Sequence, residues 1–212
     1  MNEGPITEVE VGASALALID ASGPTAVSIE AVASELAVSA AAVETVASTR
    51  HQLIDLACDR IYAEVDLRPL DVPWPDRLRT YSRSFRQALL RHPRCASVIT
   101  SRPILTISSM AVAERALSEL IGVGFEPDEA NRILLVIVAF VSGHALIEIG
   151  TRYDDIGGHD AEEVESFRTS LPEGELPVAS KAVSHVDRDA EFEVGLKLII
   201  DGLERTMLHG LP

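Results

Sequence analysis

From Ile133 to Ile147 fifteen consecutive positions carry no charged side chain, and only Ser142, Gly143 and His144 interrupt their apolar character. A run of that length has to be covered. Spanning a bilayer takes about 18 apolar residues or more, so the run reads as a buried helix rather than a membrane span. Pro127 suits a first helical turn, and Asp128 and Glu129 follow where the helix dipole favours acids, which gives a helix from about 127 to 152. A second strongly apolar helix reads from Asp189 to about Leu208. Two such helices exceed what one small bundle can bury, so a self-complementary interface, a homodimer, is expected. Gly143, Gly195 and Gly202 lie inside these helices at about 1 kcal/mol each relative to Ala, which points to close helix approach.

The rest of the chain reads as shorter helices with loop punctuation, an all-α fold. Leu53, Ile54, Ala57, Cys58, Ile61 and Val65 fall on or near one face of a helix from Arg50 to about Asp66. The Pro-rich stretch 68–75 ends it and forms a hinge. Further helices are expected over 76–91, through Cys95 and Val98 after the His92-Pro93 break, and over 105–121 before Gly122 and Gly124. Residues 153–187 turn polar and rich in Gly, Pro, Asp and Glu, which predicts a mobile loop with about one helical turn. With 212 residues the chain is long enough for two helical subdomains. Cys58 and Cys95 have no CxxC spacing and are expected to be reduced core residues. A net charge of −15 argues against nucleic acid or an anionic membrane as a general partner. The acidic N-terminus lacks the basic region of a signal peptide, so the expected compartment is the cytoplasm.

The stretch from Val11 to Leu53 carries a specific likeness. Residues 13–23 read as one helix stopped by Gly23; Ser28 to Leu36 reads as a second, with Ile29, Val32, Ala33 and Leu36 on one face; Val38 to Val43 opens a third. This pattern resembles the N-terminal helix-turn-helix domain of the tetracycline-repressor (TetR) family. The segments Trp74-Pro75-Asp76-Arg77-Leu78, Leu89-Leu90-Arg91-His92-Pro93 and 191–205 resemble that family's C-terminal body. The resemblance implies a head over 1–49 and an effector-binding, dimerising body over 50–212. It also implies a small-molecule ligand and dimerisation through the last two long helices.

The departures bear on function. No Lys or Arg occurs before Arg50, while Glu3, Glu8, Glu10, Asp20, Glu30, Glu35 and Glu44 give residues 1–49 a formal charge of 0 − 7 = −7. Affinity for DNA comes largely from displaced counterions, which needs positive side chains. Relative to the family, Glu30 and Ala31 stand at usually basic positions, Glu44 replaces an aromatic, and Thr45, Val46 and Ala47 follow it. Ala37 replaces the turn glycine, so the second helix is expected to run on into the third and misalign the reader. DNA binding is therefore expected to be weakened or lost; its contacts, if any, would be Ser39, Thr45 and Arg50.

Polar and aromatic side chains on the body helices are the ligand-site candidates: Tyr62, Trp74, Tyr81, Phe85, Arg102, Thr106, Met110, Phe140, His144 and Glu148. His144, Glu148 and Arg152 share a helix face at i, i+4, i+8, which suits a proton relay, a metal pair or a ligand clamp. Alternatively His144 is a satisfied core or interface residue and Glu148 pairs with Arg152 near solvent. No third metal ligand is evident, and neither a metal nor a cofactor is expected. No GxSxG, P-loop or GxGxxG is present, so an enzyme is the lesser expectation. Its acid-base groups would come from His51, Tyr81, His92, His144 and Glu148. Three readings stand: a ligand-binding regulator homologue with an impaired head, a repurposed enzyme or carrier acting on a small molecule in the former effector pocket, and a divergent working repressor.

Overall fold

The computed structural model describes residues 5–68, 71–101, 106–152, 161–170 and 187–209, and every regular element among them is helical. Helix α1 spans Glu8–Ser22, α2 Ile29–Glu35, α3 Ala40–Glu44 and α4 Arg50–Ala63. The body follows with α5 Trp74–Arg91, α6 Pro93–Ser101, α7 Ile107–Gly122, α8 Pro127–Arg152, α9 Ala161–Ser170 and α10 Arg188–His209.

Helix α1 starts five residues earlier than the apolar pattern suggests, because Thr7 and Glu10 form a reciprocal cap. Thr7 Oγ1 accepts from Glu10 N at 3.2 Å, and Glu10 Oε2 accepts from Thr7 N at 2.9 Å. Gly23 ends it at φ 83°, as expected. Val11, Ala15 and Ile19 are fully buried against α4. The two helices cross closely at Gly12, where an added Cβ would lie 2.7 Å from the Leu56 carbonyl oxygen.

The expected fusion of the second and third helices does not occur. Ala37 itself adopts φ 54°, Ala37 N donates to Ser34 O at 3.2 Å, and Val38 N donates to Ala33 O at 3.0 Å. The turn is held from both sides: Ser28 caps α2 through Ala31 N, Ser39 caps α3 through Ala42 N, and Val32 and Val43 are fully buried. Packing two short helices into one core outweighs the roughly 1 kcal/mol that a non-glycine residue loses in the left-handed region.

Helix α8 is the pillar of the body. Ala130, Ile137, Val141, Ala145 and Ile149 are buried where α5, α6, α7 and α10 pack against it. Its apolar stretch is longer than the charge-free run: Pro127–Gly150, 24 residues, is long and apolar enough to cross a membrane by length and composition alone. Helix α10 contributes Phe192, Leu196 and Ile200, all fully buried at i, i+4, i+8, about 2 kcal/mol of hydrophobic transfer each. Cys58 on α4 and Cys95 on α6 are free, buried thiols with sulfurs 3.8 Å apart. Within the stretch expected to be loop, α9 is a ten-residue helix, longer than the single turn foreseen; 153–160 and 171–186 lie outside the described residues.

Candidate ligand site and head surface

Phe140, His144 and Glu148 project from one face of α8 toward α10, as their four-residue spacing requires. Phe140 stacks on Phe192 with centroids 5.5 Å apart and planes 20° apart, and His144 meets Phe192 edge-on at 5.3 Å. Gly195 makes this approach possible, since a Cβ there would sit 2.5 Å from the Phe140 ring. Beneath the aromatic layer Glu148, 1% exposed, is paired with Arg86 of α5, 4% exposed. Arg86 donates to Glu148 Oε2 from Nη2 at 2.5 Å and Nε at 3.1 Å, and its Nη2 also reaches Asp189 Oδ1 at 2.7 Å. The guanidinium lies 4.7 Å above the centre of the Phe192 ring.

Burial alone would push the Arg86 guanidinium down, but the hydrogen bonds from Glu148 and Asp189 outweigh it and hold the group above its ordinary value. Burial, then the Arg86 charge, pushes His144 below the ordinary imidazole value, while Glu148 opposes them. Among the described residues neither ring nitrogen of His144 has a hydrogen-bond partner, and both are buried. A neutral imidazole offers one N–H and one lone pair, the complement of a hydroxyl or carbonyl on a small ligand. Glu148, expected to pair with Arg152 near solvent, is buried and pairs with Arg86. The Arg152 side chain and Arg102 lie outside the described residues.

The remaining candidates do not converge on that cluster. Tyr62 stacks on Phe85 at 5.5 Å, and burial, then Cys58, pushes its phenol up to about 12. Trp74 packs edge-on against Phe125. The Tyr81 hydroxyl accepts from Arg115 Nε at 2.8 Å and donates to Glu119 Oε1 at 3.5 Å, and Arg77 Nε donates to Glu119 Oε2 at 2.7 Å. Thr106 caps α7 and, with Met110 and Ile107, lines a half-open cleft of about 510 Å³ against Glu8 and Val9 of α1 and Asp59 of α4. His51 is exposed on α4, and His92 closes α5 at the junction of head and body. Among the described residues no three His, Cys, Asp or Glu side chains form a metal-binding group.

Arg86 and Phe192 escaped the sequence reading of the site. Arg86 carried a signal: it lies among Leu78, Ser82, Phe85 and Leu89 on the buried stripe of an amphipathic helix, where a charge requires a partner.

On the head, Ser39 Oγ is engaged in its cap and the Thr45 hydroxyl donates to Ala42 O at 2.6 Å. The exposed Arg50 donates to Val27 O from Nε at 3.0 Å and to Pro24 O from Nη2 at 2.6 Å. Glu30, Glu35 and Glu44 are exposed.

Residues 69–207 match a family profile described as "Tetracyclin repressor-like, C-terminal domain". An HTH-type transcriptional regulator of Saccharopolyspora erythraea is 24% identical over 202 residues, covering 95% of this chain and 86% of that protein. The HTH-type transcriptional repressor DrrR1 of Streptomyces coeruleorubidus is 29% identical over 202 residues, covering 90% and 74%. Apo ActR of Streptomyces coelicolor superimposes with a TM-score of 0.82 at 26% identity, covering 98% of this chain and 99% of ActR. ActR has also been solved in complex with actinorhodin, with the same TM-score at 27% identity over 96% of this chain and 99% of ActR.

Proposed function

The chain belongs to the tetracycline-repressor family, and from that premise we propose that it is a ligand-binding, homodimeric regulator homologue whose head has a weakened or lost grip on DNA. The observation that carries this reading is the arrangement of charge on the head. The head carries no Lys or Arg, and the first one after it, Arg50, is tied to two backbone carbonyls, while Glu30, Glu35 and Glu44 are exposed. Each phosphate contact normally contributes through counterion release, and a carboxylate reverses that contribution.

The ligand reading rests on the aromatic layer of Phe140, His144 and Phe192 over the Arg86–Glu148 pair, and on the solved complex of the related ActR with actinorhodin. An apolar, aromatic small molecule with a hydroxyl or carbonyl for His144 fits that chemistry. The dimer reading rests on Leu135, Val136 and Ile147 of α8 and Val194 and Leu198 of α10, each 57–66% exposed. Gly143 and Gly202 on the same helices have nothing within 4 Å of an added Cβ, which leaves room for a second backbone. A second reading, a working repressor, is favoured by the intact turn at Ala37, which keeps α3 oriented as a reader.

Selection of genomic duplex fragments on the immobilised protein, followed by sequencing of the retained pool, separates the two. Under the first reading the pool is no more enriched than one drawn on an unrelated acidic protein; a recovered palindrome would establish the second.

A further inference from the structure

Helices α1 and α7 both pack on α4, and the cleft of about 510 Å³ at Thr106 lies between them. Its floor is one face of α4, where Gln52, Asp55, Leu56, Asp59 and Arg60 recur at helical spacing. Its walls carry Val9 of α1, Val46 after α3, and Ile107 and Met110 of α7. Val9, Ile107 and Met110 are 56%, 87% and 51% exposed. Apolar side chains gathered around a concavity and left in water mark a binding surface in a way that scattered ones do not. The volume falls within the range of about 300–1,000 Å³ typical of small-molecule sites. The cleft shares no residue with the cluster of Phe140, His144 and Phe192.

Charge selects the occupant. Among the described lining residues Glu8, Asp55 and Asp59 stand against Arg60, a formal balance of −3 + 1 = −2. Both Asp59 oxygens are engaged by Ser108, whose N donates to Oδ1 and whose Oγ donates to Oδ2, each at 2.9 Å. Glu8 is exposed, and among the described residues no hydrogen bond or ion pair engages its carboxylate. Helices α1 and α7 both begin at this cleft, but an acid of the chain already meets the positive end of each, Glu10 at Thr7 N and Asp59 at Ser108 N. An incoming anion would find those helix ends taken and face the surplus carboxylates. A cation is drawn in by that surplus and by the field of a head that holds seven acids and no Lys or Arg over residues 1–49.

We propose that this cleft is a second ligand site, separate from the aromatic cluster of the body, and that its occupant is a small aromatic ring system bearing a protonated amine. The ring lies along Leu56, Ile107 and Met110, removing apolar surface from water and meeting the Met110 thioether, which packs well against aromatic edges. The ammonium is a donor without acceptor capacity, the complement of a wall of carboxylates. A molecule so placed touches α1 of the head and α7 of the body at once, so the site joins the two subdomains. It stands whether or not a ligand binds at His144 and whether or not the head retains any DNA affinity.

The chain has three methionines, so carbon-13 labelling of their methyl groups gives a local reporter at Met110, assigned by its absence in Met110→Leu. Two probes with the same ring and opposite charge, naphthylmethylammonium and naphthylacetate, are titrated into the full chain at low ionic strength. The amine is expected to shift the Met110 methyl with half-saturation below about 1 mM, and the carboxylate to leave it in place. Glu8 and Ile107 are both exposed, so Glu8→Lys combined with Ile107→Lys should keep the fold, checked by helical circular dichroism. That variant turns the formal balance of the cleft positive. It should weaken the amine about tenfold or more and make naphthylacetate the better probe. His144→Leu should leave the Met110 response unchanged, which separates this cleft from the aromatic cluster. No Met110 shift with the amine, an equal response to both probes, a preference for the amine that survives the double variant, or a response abolished by His144→Leu would each overturn the proposal.

Discussion

Arg86 and Glu148 hold each other in a place where neither charge could remain alone. Removing Glu148 leaves the buried Arg86 guanidinium to lean on Asp189, which is 82% exposed, so Glu148→Leu should destabilise the protein by about 3 kcal/mol in urea unfolding. Adding Arg86→Met should recover much of that loss, because an apolar pair of similar volume no longer needs compensation. His144 couples stability to pH. Its folded value is depressed below the ordinary imidazole value, so the unfolded chain binds the proton more readily and stability falls as pH drops below about 6.5. His144→Leu should flatten that acid-side decline, read as urea midpoints at about pH 7.5 and pH 5.5; an unchanged slope would assign the decline to other groups. The sequence marked Phe140, His144 and Glu148 because helical spacing places i, i+4 and i+8 together. It hid their partners, since Arg86 and Phe192 come from helices whose meeting depends on tertiary packing, and the nearest basic residue on the same helix, Arg152, offered a local alternative.

At the scale of elements, caps and glycines decide where helices stop and how closely they meet. Ala37 supplies a left-handed turn at a strain that glycine would relieve, so Ala37→Gly should raise stability by about 1 kcal/mol, or about 2–4 °C in Tm. A fall in Tm would mean that glycine's greater unfolded-state entropy outweighs the strain. Gly195→Ala should act oppositely, since its Cβ must push the Phe140 ring off Phe192; loss of the aromatic near-ultraviolet dichroism would accompany the destabilisation. Helix boundaries were legible at Gly23, Ser28 and Pro127, whereas the start of α1 was missed although Thr7 and Glu10 encode it, because the apolar pattern begins five residues later. The turn at Ala37 was not legible, because the force that imposes it is the burial of Val32 and Val43 on either side rather than any preference of alanine. The close crossing at Gly12 was equally silent, since a helical glycine declares no partner until α4 is placed beside α1.

The whole molecule presents two surfaces of opposite character, an acidic head and an apolar face on α8 and α10. Leu198, 66% exposed, lies one turn from Val194 on that face, so Leu198→Glu should convert a dimer to a monomer in sedimentation velocity without loss of helical circular dichroism. The helical fold was readable from the apolar run and the helical rhythm, and the family from the likeness of segments such as 74–78, 89–93 and 191–205, whereas the separation of the ligand candidates among different partners was not. Tyr62 and Phe85 stack on each other, while Trp74 packs against Phe125 and Tyr81 bonds to Arg115. The central claim, that the head's hold on DNA is weakened or lost, is tested most directly by fluorescence anisotropy of a labelled duplex at low ionic strength, where counterion release favours binding most. The charge arrangement predicts no rise in anisotropy up to about 100 µM protein, the upper end of ordinary non-specific affinity. Binding that weakens steeply as salt is added would contradict it and restore the head as a reader of DNA.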